Sequence, residues 1–342
     1  MPSGMYLRSG LDWHLDPLGE RTLEAYVRHA GIDRGHLHPL PVDVFRDYGR
    51  WFQEGYGLVA DPRLVRRLAW REGRFVAELA DGARVAAHQV LLALGFGSFV
   101  HLPDEVTRTL PAGRYAHTCH LVDFPALAGQ AVLIVGGRQS AYEWAALLAE
   151  AGAAAVHVVH RHPAPRFAPS DWSWVEPLLQ ASAAQPGWFR SLPPNEQEAI
   201  RQRFWAEGRL KLEPWLGPRL DRDEVHVWPE AAVAAGHEGA DGRLQVRLTT
   251  GAALDVDQVV LATGYRVDVR RVALLDPETI LPHLAIEDGF PALDEDFQSS
   301  VPGLFFSGLP ATRDFGPFFG FVAGCRVAPR RIVNCILSDR GD

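Results

Sequence analysis

Cysteine is scarce: Cys119, Cys325 and Cys335 lie far apart in 342 residues and form no Cys-x-x-Cys pair. That count and spacing exclude a redox-active dithiol and a cysteine-built structural zinc site, and they suit a reducing cytosol. Lysine is rarer still. Lys211 stands alone among 34 basic residues, a bias that reads as genome composition more than as function. No run of about 18 apolar residues occurs, so a transmembrane helix is not expected and no membrane partner is assigned. The opening MPSGMYLRSGLDWH lacks a charged stretch followed by an apolar core, so no signal peptide is expected and the chain reads as cytoplasmic. A net charge of −8 with acids and bases intermixed argues against nucleic acid or another polyanion as partner. What remains is a chain with 47% hydrophobic residues, long enough for two or three domains with their own cores.

The chain contains an internal repeat. RFVAELADGARVAAHQVLLALGF, from Arg74, lies without a gap over RLQVRLTTGAALDVDQVVLATGY, from Arg243, at an offset of 169 residues. Each copy reads as an alternating strand, a turn (Asp81-Gly82 or Thr250-Gly251), a short returning strand, and an apolar strand that ends in glycine. Gln89 matches Gln258, Ala93 matches Ala262, Gly95 matches Gly264, and Phe96 matches Tyr265.

Upstream of the second copy stands a strand over Ala131 to Val135, the pair Gly136-Gly137, a helix from Gln139 to Ala151, and a strand from Ala155 to His160. This is a βαβ unit with a glycine turn, the form that binds a dinucleotide. Two copies of the later hairpin imply two copies of the earlier unit. Carried back by the repeat offset, Gly136 falls before Met1, so the first unit is expected to lack its glycine turn.

In such a turn the first glycine permits the bend, the second admits the pyrophosphate, and the third allows close helix packing. Across Gly136-Gly137-Arg138-Gln139-Ser140-Ala141 those places fall to Gly136, Arg138 and Ala141. Arg138 either offers its guanidinium to the phosphates or closes the site. The expectation taken from the sequence is obstruction, with a cost in backbone strain should the position require φ > 0. Arg161, after the second strand, favours the 2′-phosphate of NADPH, with a merely exposed arginine as the alternative. His157, His160 and His162 follow strand alternation and show no metal-ligand spacing.

MPSGMYLRS, GRYAHTCH, VLIVGGRQSAYEWAALL, VVLATGY and VPGLFFSGLPATRDFGPFFGFVAG together resemble the FAD- and NADPH-dependent flavoprotein oxidoreductases related to flavin-containing monooxygenases. The resemblance covers nearly the whole chain. It implies an α/β fold of two dinucleotide-binding, Rossmann-like domains, the first N-terminally incomplete and formed from both ends of the chain. The FAD-type domain would take residues 1–121 and 257–342. The NAD(P)H domain would take 122–256, with a helical, tryptophan-rich insertion at about 166–229. Arg8 and Ser9 would lie near the flavin, Thr263 and Gly264 in the second glycine exit, and Gly308 and Leu309 against the flavin rings. Phe315-Gly316-Pro317 would open the final helix toward the flavin, since proline suits a first turn and a helix N-terminus favours negative charge. The monooxygenase fingerprint Phe-x-Gly-x-x-x-His-x-x-x-Phe/Tyr is met only at Gly113 and His117, with Pro111 and Leu121 at the aromatic places.

Within the insertion, Pro193-Pro194-Asn195 reads as a turn and a capped helix start, and the tryptophans as core packing or the lining of a substrate pocket. The functional expectation is NADPH reducing FAD, with oxygen then delivered to a small substrate. The alternative is a non-catalytic or truncated nucleotide-binding protein, and with its first turn absent this chain alone is expected to bind FAD weakly or not at all. No catalytic side chain is assigned. The oligomeric state, a homo-oligomer included, is left open.

Overall fold

A computed structural model describes residues 2–338. The repeat is visible in it hydrogen bond by hydrogen bond. In the first copy, strands β1 (Val65–Arg71), β2 (Arg74–Leu79) and β3 (Arg84–Ala87) form an antiparallel sheet, and β4 (Val90–Leu92) leaves it. The β2–β3 turn is closed by Leu79 N–H to Ala83 O at 2.8 Å, with Gly82 at φ 85°. In the second copy the turn between the strands Leu244–Leu248 and Ala253–Val256 is closed by Leu248 N–H to Ala252 O at 2.8 Å, with Gly251 at φ 89°. Both glycines occupy the left-handed region that other residues rarely enter. Even the irregularities agree: β1 shifts register between Val65 and Arg67, and its counterpart strand Val233–Glu238 between Val233 and Ala235.

The second copy completes a parallel sheet. In chain order its elements are β5 (Tyr115–His117), β6 (Ala131–Val135), β7 (Ala155–Val159), β8 (Val225–Trp228), β9 (Val233–Glu238), β10 (Leu244–Leu248), β11 (Ala253–Val256) and β12 (Gln258–Leu261). The five parallel strands lie in the order β8-β7-β6-β12-β5, and β9-β10-β11 form the second antiparallel sheet. Strand alternation sorts the core into two layers. Val132, Ile134, Val156, Val158 and Val260 pack on one face with helix α1 (Gln139–Glu150), while Ala131, Leu133, Val159, Val259 and Leu261 pack on the other with β9 to β11. The β6–α1–β7 unit therefore forms where its sequence pattern placed it, and the fold is mixed α/β with a parallel sheet.

At the other half, β4 pairs in parallel with β13 (Leu304–Phe306). A large core gathers here around Phe75, Phe99, Phe305, Phe306 and Phe318. Helices α2 (Val175–Ala184) and α3 (Pro194–Arg209) of the insertion add Val175, Leu179, Ile200 and Phe204 to this core. The insertion thus packs on the core that holds the C-terminal helix. Asn195 does not cap α3: Pro193 is at the cap and Pro194 takes the first helical position, which places Asn195 inside the first turn. Pro317 opens only the short 3-10 turn Pro317–Gly320, and the final helix α4 starts later, at Ala328, and runs to Ser338. No helix of the described residues is long and apolar enough to cross a membrane.

Phe75 and Leu244 are repeat equivalents, both fully buried. Phe75→Ala is expected to cost about 3–5 kcal/mol and Leu244→Ala about 2–5 kcal/mol by chemical denaturation. A loss below about 1 kcal/mol at either position, the scale of an ordinary surface change, would contradict the equivalence of the two cores.

Candidate functional site

The exits of the two repeats meet. Gly95 and Gly264 both turn with positive φ, at 62° and 77°, after β4 and β12. Val100 bridges to Tyr265, Arg266 N–H donates to Phe99 O at 2.8 Å, and the Phe96 and Tyr265 rings stand 4.9 Å apart. The Gly264 carbonyl accepts from His101 N–H at 3.0 Å and sits 3.1 Å from His117 Nε2. Because His117 Nδ1 already accepts the Cys119 N–H, Nε2 carries the proton and donates to Gly264. Burial pushes the His117 pKa down to about 4, so the ring stays neutral. Thr263 Oγ1 donates to His101 O at 2.5 Å.

Below this junction lies the glycine turn. Gly136 adopts φ 143°, and a Cβ there would stand 2.4 Å from the Ala262 carbonyl; a Cβ on Gly137 would stand 2.3 Å from the His160 ring. Both glycines are required by contact with the protein itself. His160 is in turn held between the Tyr142 hydroxyl, 2.9 Å from Nε2, and the His162 carbonyl, 2.8 Å from Nδ1. Arg138 is extended, at φ −111°, so the strain component of the expected obstruction does not arise. Its Nη1 donates to Arg209 O at 3.0 Å, and its guanidinium carbon is 5.8 Å from the centre of the Trp205 ring. Gln139 opens α1; its amide oxygen accepts Glu213 N–H at 3.1 Å, and its Nε2 has no partner. Ser140 is exposed and Ala141 buried against the sheet. No side chain caps α1 and its first turn holds no acid, so its N-terminal N–H groups and positive dipole end are available to an anion.

Arg161 is exposed beyond β7, 3.5 Å from Glu105. Arg8 is otherwise occupied: it pairs with Glu213 at 2.8 Å, bonds the Ser170 hydroxyl, and donates to the Gly208 and Glu207 carbonyls at 2.7 and 3.0 Å. It ties the N-terminal segment, with Ser9, to the C-terminal end of α3. Arg8 also lines a cavity of about 300 Å³ with Trp13, Trp172, Ser173 and Glu176. A row of ring contacts links this cavity to the junction, running Trp13, Trp172, Phe204, Phe321, Phe96 and Tyr265, with successive centroids 4.9 to 6.2 Å apart. Gly308 follows β13 at φ 74° with open space where a Cβ would be; Leu309 starts the next short turn. Gly95 is equally open, so the carboxyl ends of β4 and β13 present a bare ledge, the usual ligand position on a parallel sheet. Phe315 is stacked on Phe297 at 3.6 Å, and Gly316 bends at φ 101° before Pro317. The sequence reading missed Trp205, Arg209, and the paired role of His101 and His117.

No family model matches the chain. An FAD-dependent urate hydroxylase of Xanthomonas campestris is 29% identical over 340 residues, which span 91% of this chain and 70% of that protein. A ferredoxin–NADP reductase of Salinispora tropica is 40% identical over 100 residues, 28% of this chain and 29% of its own length. Among solved structures, an ornithine N-hydroxylase of Kutzneria sp. 744, with reduced FAD, NADP+ and L-ornithine, superimposes with a TM-score of 0.73 at 16% identity, covering 98% of this chain and 88% of that one.

Glu143, on α1, is buried with its Oε1 accepting Tyr6 N–H at 2.8 Å, and burial raises its pKa from 4.5 to about 7. A raised folded pKa means the folded state holds an extra proton, so the protonated carboxyl's contribution is fully present below about pH 4.5 and lost as pH rises through about 7. Glu143→Gln keeps the acceptor and removes the charge. The variant is expected to match the parent in thermal midpoint at low pH and to exceed it above neutrality; a difference that does not change with pH would contradict this assignment.

Proposed function

We propose that this chain, which belongs with the flavin oxidoreductases among its homologues, is an NADPH-dependent flavin monooxygenase acting on a small substrate. The observation that carries the reading is the meeting of the exits of the two hairpin repeats at the Gly264 carbonyl, which aims the carboxyl ends of β4 and β12 at a common region. The domain division that goes with it gives the two ends of the chain to FAD and the centre to NADPH, with β5 and β12 counted in the central sheet beside β6 and the insertion at about 166–229 serving the first.

The residues fit a nicotinamide dinucleotide and the ring end of a flavin; no second glycine turn stands beside β4 and β13 among the described residues. Gly136, Gly137 and the uncapped start of α1, with the unpartnered Gln139 amide, suit a dinucleotide phosphate. Thr263 and Gly264 line the exit above them. The open ledge at Gly95, Gly308 and Leu309 suits the flavin, with Phe315, Gly316 and Pro317 packed behind it. When bound, the flavin supplies the redox chemistry, taking electrons from NADPH and passing them to oxygen. The protein's share is placement. The Gly264 junction joins the two sites, and the aromatic row from Tyr265 to Trp13 runs from it to the cavity beside Arg8. Arg8 lines the Trp13–Trp172 cavity, which has room for a small organic substrate.

Arg161 distinguishes the nicotinamide cofactors. The parent protein is expected to bind NADPH about tenfold or more tighter than NADH, and Arg161→Ala to erase that preference while leaving NADH affinity unchanged, as measured by calorimetry. Equal affinities in the parent would contradict the NADPH assignment.

A further inference from the structure

We propose that Arg138 and Arg209 form a two-cation clamp for the pyrophosphate of the nicotinamide dinucleotide, with Trp205 of the insertion helix as the platform that holds both guanidiniums. The proposal rests on the reading that the glycine turn takes NADPH, and deepens it by assigning the phosphate contacts to a partner from another part of the chain.

The charge balance of this corner leaves two neighbouring cations unmatched. Arg8 is paired with Glu213, Arg219 with Glu150, Arg326 with Glu176 and Arg313 with Glu287. Arg138 and Arg209 have no carboxylate partner among the described residues, although both are partly buried. Their guanidinium carbons lie 5.8 and 5.9 Å from the Trp205 ring centre, so one exposed indole brings the two cations together. Desolvation lowers the pKa of each, and for Arg209 the nearby charges of Arg8 and Arg138 lower it further. Like charges gathered out of water without a counter-ion are costly, and an anion is the missing partner.

A second observation points to the same ligand. Gln139, the first residue of α1, is 8% exposed, yet its Nε2 donates to nothing. An idle buried amide donor, an uncapped helix start and two unneutralised guanidiniums thus converge on the glycine turn. Arg138 needs no left-handed backbone, so glycine is dispensable at this position on conformational grounds. Its side chain leans on the end of α3 and leaves donors beyond the Nη1 bond to Arg209 O. The pyrophosphate is favoured over the 2′-phosphate because Arg138 and Gln139 stand at the turn itself, whereas the ribose end of such a nucleotide lies beyond the second strand, beside Arg161.

The test uses the full chain and compares dissociation constants for NADPH and NADH in the parent, Arg209→Gln and Arg209→Lys. The pyrophosphate is common to both cofactors, so Arg209→Gln should weaken both by the same factor, about tenfold, and Arg209→Lys should recover most of it. Without ligand, Arg209→Gln should have an unchanged or higher thermal midpoint, because an unpaired cation has been removed; a merely structural arginine would show a drop. Unchanged affinity for both cofactors, or a loss confined to NADPH, overturns the clamp alone. A parent protein that binds neither cofactor overturns the NADPH reading and the clamp with it.

Discussion

The Gly264 carbonyl is the point on which the architecture turns. One oxygen accepts from the His101 N–H of the first repeat's exit and from His117 Nε2 at the end of β5, while Thr263 donates to the His101 carbonyl. Two halves that could each fold around their own core are thereby fixed in relation to one another. The tautomer of His117 is set by the Cys119 N–H, and burial keeps the ring neutral down to about pH 4. A neutral, singly oriented imidazole is a better strut than one that titrates in the physiological range. That role also gives a physical sense to the two fingerprint positions the chain retains. Gly113 has φ 80°, a turn conformation that favours glycine, and His117 makes the junction bond.

The insertion is the second tie. Its helix α3 packs the half-buried Ile200 and Phe204 against the core that holds the C-terminal helix, yet its last carbonyls are taken by Arg8 from the N-terminal segment and by Arg138 from the glycine turn. Cations at a helix C-terminus oppose its negative dipole end, so these contacts stabilise α3 as well as locate it. One helix therefore touches the candidate substrate cavity, through Phe204 and the tryptophan row, and the candidate nucleotide turn, through Trp205 and Arg209. Any ligand-driven shift of α3 would be felt at both places.

Much of this was legible in the residues. The repeat was readable because a hairpin's turn and exit glycine impose positive φ at fixed places, and Gly82, Gly95, Gly251 and Gly264 keep those places at the same offset. The β6–α1–β7 unit was readable from its apolar period and glycine pair. What sequence cannot supply is contact across long separations: Arg138 and Arg209 are 71 residues apart, and nothing in the local pattern sets one beside the other. The final helix was placed too early for a local reason. Gly320 and Gly324 interrupt the stretch after Pro317, and it forms 3-10 turns before α4 begins at Ala328. Asn195 was credited as a cap because it followed two prolines, but the second proline occupies the helix's first position.

Electron transfer between the two halves is the central claim, and it is measured by mixing the protein without oxygen with FAD and NADPH while following the visible absorbance of oxidised flavin. The account predicts a protein-dependent loss of that absorbance, faster with NADPH than with NADH, and its return when air is admitted. Absorbance that stays at the protein-free level with both cofactors would contradict it.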